Sequence, residues 1–203
     1  GDYRPQELST ISWALGRLLA HGPAEDVAAA AALKRLKEHP ELFKAQDLAK
    51  AVWPSPRLHV NHVAAERAAR IVTDKLLEEQ QHFDEQGLSN ILWAAVRLQL
   101  DSTDVKGIST VVARRLCQQP QQFTEQQMSS ILWSFTTLRL NDGSTSRVFP
   151  LLLRKLRQHP QQVESETIAN LCLHFSLYEN KSTRFFPSDF EVVLRRTAQG
   201  EPT

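Results

Sequence analysis

Residues 83–98 read FDEQGLSNILWAAVRL, and forty positions further on residues 123–138 read FTEQQMSSILWSFTTL. In the first stretch Leu88, Ile91, Leu92, Ala95 and Leu98 fall at the i, i+3, i+4, i+7 spacing of one helix face. In the second, Met128, Ile131, Leu132, Phe135 and Leu138 repeat the pattern. Asp84 and Thr124 stand where an N-cap belongs, and Thr124 with Gln127 fits a capping box, in which each side chain satisfies an amide of the first turn. One helix start therefore occurs twice in one register, which is the signature of an internal repeat.

The register extends along the chain. Trp13, Trp53, Trp93 and Trp133 are separated by 40, 40 and 40 residues. Leu8, Leu48, Leu88 and Met128 keep one fixed offset from them, Leu18, Leu58, Leu98 and Leu138 a second, and Tyr3, Phe43, Phe83 and Phe123 a third. A second helical pattern follows each first one, as in VKGISTVVARRLCQQ and RVFPLLLRKLRQ, with Leu36, Leu76, Leu116 and Leu156 in step. Pro40, Pro120 and Pro160 then act as stop signals. Continuing the frame gives Val163, Glu166, Ile168, Leu173 and Tyr178, a unit that has lost its Trp and its Gln. A two-helix unit of about 40 residues cannot bury its apolar face alone and must stack on its neighbours. The expected fold is therefore all-α: one α-solenoid domain over 1–203, with five helix-turn-helix repeats at about 1–40, 41–80, 81–120, 121–160 and 161–200. The last, degenerate unit closes the array.

Two places depart from the pattern. Pro54 and Pro56 follow Trp53 closely, and proline disfavours helical geometry at the residue before it and removes an amide, so the first helix of the second unit should end early. The irregular connection is either a tolerated break or a bend that shapes a binding surface. Near the end, Glu179 to Pro187 is interrupted by polar residues, and Ser188 with Glu191 offers a capping box for a last helix carrying Val192, Val193 and Leu194.

Composition excludes several classes. At 41% hydrophobic and 23% charged, the 203 residues match an ordinary globular chain. No apolar run approaches the roughly 18 to 20 residues of a membrane span, and GDYRPQEL lacks a signal-like apolar region, so neither a span nor an attached signal is expected. The chain has the form of a soluble or peripheral protein, compatible with a mature fragment. Cys117 and Cys172 are too few for a disulfide framework and suit small core positions. His59 and His62 share a segment with no Cys or carboxylate at ligand spacing, there is no glycine-rich phosphate loop, and no histidine recurs with a hydroxyl or carboxylate partner. No catalytic residue, metal or cofactor is expected.

The stretches at 83–98 and 123–138 resemble the first-helix motif of octotricopeptide repeat proteins and of related helical-repeat proteins associated with the RAP domain. The similarity covers about residues 3 to 178 and is clearest at Phe83, Gln86, Leu88, Trp93, Ala94 and Leu98 and their equivalents. It implies an α-solenoid of a mitochondrion or plastid that binds RNA, single-stranded or ribosomal, and acts in RNA maturation, stability, translation or ribosome assembly.

A surface for that role is legible. On a helical wheel Gln86, Asn90, Trp93 and Arg97 cluster within about 60°. Across units this face reads Gln6, Thr10, Arg17; Gln46, Lys50, Arg57; Gln86, Asn90, Arg97; Gln126, Ser130, Thr137; then Glu166, Asn170, Leu177. A fixed frame around a varying hydrogen-bonding residue is what a one-base-per-repeat reader needs, making Thr10, Lys50, Asn90, Ser130 and Asn170 candidate base contacts. Gln46, Gln86 and Gln126 are then frame residues, and Arg17, Arg57 and Arg97 phosphate contacts. Equally, the glutamines cap helices or hold loops and the varying position is merely solvated. The tryptophans are better placed for packing between repeats than for stacking on bases. Basic residues recur in the second helices, at Lys34, Arg35, Lys75, Arg114, Arg115, Arg154 and Lys155, with Arg195 and Arg196 near the end. This ladder either follows phosphates or answers the helix macrodipole, which favours cations in any last turn.

A formal charge of only +1 and a short array favour a different class, a protein scaffold within a large organellar assembly such as a ribosome or a membrane complex. RNA and proteins of an organellar assembly are the expected partners; DNA and direct insertion into a membrane are not.

Overall fold

A computed structural model describes residues 3–18, 22–139, 150–151 and 154–155. Among them are seven α-helices and no strand: α1 Pro5–Leu18, α2 Pro23–Glu38, α3 Ala45–Val52, α4 His62–Glu78, α5 Glu85–Arg97, α6 Ser102–Gln118 and α7 Glu125–Thr137. The second helices α2, α4 and α6 end at residues 38, 78 and 118, so the period of the sequence is also a period of the backbone.

What stops each second helix is more uniform than proline. A 3₁₀ turn follows at Pro40–Leu42, at Gln80–His82 and at Pro120–Gln122. His39, Glu79 and Gln119 enter these turns with φ of −141°, −126° and −137°. Gln80 occupies the place of proline with unchanged geometry, so proline is sufficient for the turn but not required. Phe43, Phe83 and Phe123 then leave each turn in extended conformation and are buried. Each Phe sits just ahead of the residue that caps the next first helix. The Asp84 Oδ1 accepts from the Gly87 amide at 2.7 Å, and the Thr124–Gln127 capping box is formed in both directions.

The chain divides into two compact units, Gly1–Val112 and Ala113–Thr203. In the first, α1 packs on α2 and α3, α3 on α4 and α5, and α2 on α4. First helices thus form one layer and second helices another, an arrangement compatible with an α-solenoid. Equivalent core positions are filled in turn by Ala32, Val72 and Val112, and by Leu48 and Leu88. Each fully buried aliphatic of Leu or Val size stabilises by about 1.5 to 3 kcal/mol. In the second unit Leu116, Phe123, Met128, Ile131, Leu132 and Phe135 are buried.

The proline break falls where expected. The helix α3 has 8 residues against 13 in α5, and the chain continues as turns held by Ser55 N–H to Val52 O and Arg57 N–H to Pro54 O. The α1 helix meets this break at Gly16, where an added Cβ would lie 2.4 Å from the Pro54 Cβ, so only glycine permits the approach. At the other end of a regular first helix, Gln99 takes φ 56°. Its amide bonds Val96 O and that of Leu100 bonds Ala95 O, which together make a Schellman closure. Arg139 repeats the positive φ at 50°.

One expectation is corrected. Cys117 is exposed, because it follows the buried Leu116 at the end of α6 and turns to the outer side of the helix. Cys172, the interrupted segment Glu179–Pro187 and the expected last helix lie outside the described residues.

Candidate nucleic-acid interface

Arginine four positions after a tryptophan lies one turn further along the same helix face. In α1 this places the Arg17 guanidinium 5.7 Å from the Trp13 ring centroid, and in α5 it places Arg97 at 5.7 Å from Trp93. The equal distances show what a regular helix gives. Arg57 is different because it leaves the broken end of α3: it lies 4.3 Å from Trp53 and 4.7 Å from Trp93. The two indoles are themselves 5.9 Å apart at 40°, a tilted pair joining neighbouring hairpins. The break thus brings one guanidinium onto two rings.

Trp53 is 9% exposed, and Trp13 and Trp93 are half-buried. The tryptophans therefore pack and carry an arginine at once, a combination that wheel arithmetic does not contain. Cation–π contact uses the plane of a guanidinium, whereas its N–H donors lie along the edge. An arginine held this way is pre-oriented for anionic oxygens, and its plane suits stacking against a base.

The frame glutamines have partners of their own. Gln46 donates from Nε2 to the Asp84 Oδ2 at 3.1 Å, bracing the N-cap of α5 from the preceding hairpin. Gln86 donates to Asn90 Oδ1 at 2.9 Å. Gln126 is exposed. The varying positions do not form one open row: Thr10 is exposed, Lys50 and Ser130 are half-buried, and Asn90 is only 5% exposed. The burial of Asn90 has a plain cause, since α5 is covered along nearly its whole circumference, from Gly87 to Leu92 and from Ala94 to Val96. Asn170 lies outside the described residues. A buried polar link absent from the sequence reading joins Ser9 Oγ to Asp47 Oδ1 at 3.4 Å.

The basic ladder separates into two registers. Lys34, Arg114 and Arg154 are exposed. One position later, Lys75 bonds Glu79 at 2.5 Å, Lys155 donates to the Phe123 carbonyl, and the Nε of Arg35 is buried. Arg115 is half-buried. The bond to Glu79 holds Lys75 above its ordinary value and Glu79 below the usual carboxylate range. This inner register serves helix ends, as cations in a last turn commonly do.

Further charge is spent on structure. Arg70 of α4 bonds Glu66, Asp101 and Asp104 at 3.1, 2.5 and 2.9 Å. Asp101 also caps α6, accepting from the Thr103 and Asp104 amides at 3.0 Å each. The Asp104 amide and the Arg70 guanidinium hold the Asp101 carboxyl low, whereas burial and then the Asp101 charge push Asp104 up.

No protein-family model matches the chain, and no curated protein matches it. Among the described residues no three of His, Cys, Asp and Glu are placed to hold a metal, and no helix is long and apolar enough to cross a membrane. His59 sits beside Asp26, its backbone amide 3.1 Å from the carboxylate.

Proposed function

We propose that this chain is an RNA-binding helical-repeat protein: an array of five hairpins whose last unit is a cap, acting in an organelle in RNA maturation, stability, translation or ribosome assembly. The observation that carries the reading is the periodic seating of Arg17, Arg57 and Arg97 on Trp13, Trp53 and Trp93. Pre-oriented guanidiniums one repeat apart suit a single strand, whose phosphates they neutralise and whose bases stack on planar groups. Since Asn90 is covered, the contact along this face is mainly sequence-tolerant, with Thr10 and Lys50 adding preference at their own places. Lys34, Arg114 and Arg154 are exposed cations of the second helices.

The test is a titration of the purified protein with randomised short RNAs at several salt concentrations. Affinity should fall linearly on a log–log plot as salt rises. Absence of salt-dependent binding at micromolar protein would overturn the reading in favour of a protein scaffold in an organellar assembly. Leu18 and Val27, 76% and 68% exposed on the first hairpin, are the feature that favours the scaffold.

A further inference from the structure

Stacking gives every hairpin two flanks, one toward the preceding hairpin and one toward the following one. Three contacts mark the first flank. Ser9 Oγ of α1 bonds Asp47 Oδ1 of α3 at 3.4 Å. In α5, a Cβ added at Gly87 would lie 3.6 Å from the Ala49 Cβ of α3, and in α6 one added at Gly107 would lie 3.3 Å from the Leu77 side chain of α4. Asp47 and Gly87 hold one register position, whose counterpart in the first hairpin is Glu7, and the counterpart of Gly107 is Val27.

On α1 and α2 this flank is uncovered among the described residues. It is also apolar. Tyr3 and Ile11 are 59% and 39% exposed, and Leu18 and Val27 more so. In the third hairpin Phe83, Ile91 and Leu98 hold the places of Tyr3, Ile11 and Leu18, and all three are buried. The buried residues of α1 are instead Ser9, Ser12 and Gly16. Thus α1 turns large apolar side chains to solvent and small or polar ones inward, the reverse of a terminal unit, whose outer face is polar.

We propose that the outer flank of α1 and α2 is a docking surface for a helical hairpin of a second helical-repeat protein, one with a small or hydroxyl residue at the place of Ser9. The internal stacking sets this chemistry. Ser9, Ala49 and Ser89 occupy that place in successive hairpins, where small size lets two first helices approach, and a hydroxyl there meets Glu7 as Ser9 meets Asp47. A second copy of this chain does not supply the fit. Ser9, Ala49, Ser89 and Ser129 are all buried, and pairing two outer flanks sets large side chains against large ones. Trp13 and Arg17 lie about 100° or more round α1 from Ile11 and Leu18, so docking does not depend on RNA binding.

The test joins a copy of the hairpin sequence 81–120 ahead of Gly1 of the full chain, in the forty-residue register, which sets a copy of Ser89 opposite Glu7. Joining raises the effective concentration to about millimolar, so a matched flank is occupied even where affinity in trans is weak. The joined chain should unfold at a higher urea midpoint than the parent, and the methyl resonances of Ile11, Leu18 and Val27 should shift. The double variant Leu18→Asp, Val27→Asp should leave the parent's midpoint unchanged, since both side chains are exposed, and abolish the gain in the joined chain. No gain on joining, or an equal loss in both backgrounds, overturns the proposal. Matching circular dichroism spectra establish that the double variant is folded. Sedimentation of the parent at rising concentration decides the source of the hairpin. A constant monomer supports a second protein; self-association that the double variant abolishes makes another copy of this chain the occupant and overturns that choice.

Discussion

Replacing Trp53 by alanine removes the ring that ties two hairpins together. The side chain is 9% exposed, lies 5.9 Å from Trp93 and supports Arg57 at 4.3 Å. Truncating a buried tryptophan costs about 3 to 5 kcal/mol, from lost transfer energy and the cavity that remains. Within that figure the tilted aromatic pair accounts for about 0.5 to 1.5 kcal/mol and a cation–π contact for about 0.5 to 1. Arg57 keeps Trp93 at 4.7 Å, so its part of the loss is incomplete and the cavity dominates. Since native domains are stable by only about 5 to 15 kcal/mol, the variant should unfold at visibly lower urea and temperature. The assay is urea unfolding followed by far-ultraviolet circular dichroism on parent and Trp53→Ala. Trp13→Ala is the comparison, its half-buried ring carrying Arg17 alone, and its loss should be smaller. Superimposable curves for parent and Trp53→Ala would refute the packing role and return the indole to the solvent side as a stacking platform.

Other consequences follow from local geometry. Gln99→Gly keeps the left-handed C′ conformation but removes the Cβ clash that costs an L-residue about 1 to 2 kcal/mol there, so it should raise the melting temperature. Gly16→Ala should lower it by about 1 to 3 kcal/mol of stability, as the new Cβ presses on Pro54, a rigid ring that has little room to give. Asp101, whose carboxyl is held low, contributes stability that is complete above the ordinary aspartate value of about 3.9 and lost as pH falls through its lower folded value. Asp104, pushed up by burial, acts in the opposite sense, since its protonation relieves a cost. The stability advantage of the parent over Asp101→Ala should therefore shrink on acidification below about pH 4, measured by urea midpoints across pH; a constant difference would contradict the capping role.

The repeat was legible because period and register survive in single letters. The tryptophans, the phenylalanines and the caps at Asp84 and Thr124 need nothing beyond spacing and hydrogen-bonding type, and the break at Pro54 needs only the geometry of proline. The site was legible in part. The wheel placed Gln86, Asn90, Trp93 and Arg97 on one polar face, but it treats a helix as having one covered side. Neighbours cover most of α5, so Asn90 went under with the apolar residues and Gln86 turned to it. Arg57 on two rings was out of reach because it depends on where the chain runs after Pro54 and Pro56. The inner basic residues escaped for a related reason: Lys155 meets the Phe123 carbonyl across 32 residues, and periodicity alone does not distinguish a cation that closes a turn from one that waits for a phosphate.

The central claim, that the arginine row meets RNA phosphates, is tested most directly by the salt dependence of RNA binding in the parent and in the triple variant Arg17→Gln, Arg57→Gln, Arg97→Gln. Each phosphate contact to a single strand contributes about 0.7 to the slope of log affinity against log salt. The account predicts that the triple variant binds all sequences more weakly and with a slope smaller by about 2, while its circular dichroism spectrum stays helical. An unchanged slope in a variant that remains folded would contradict it.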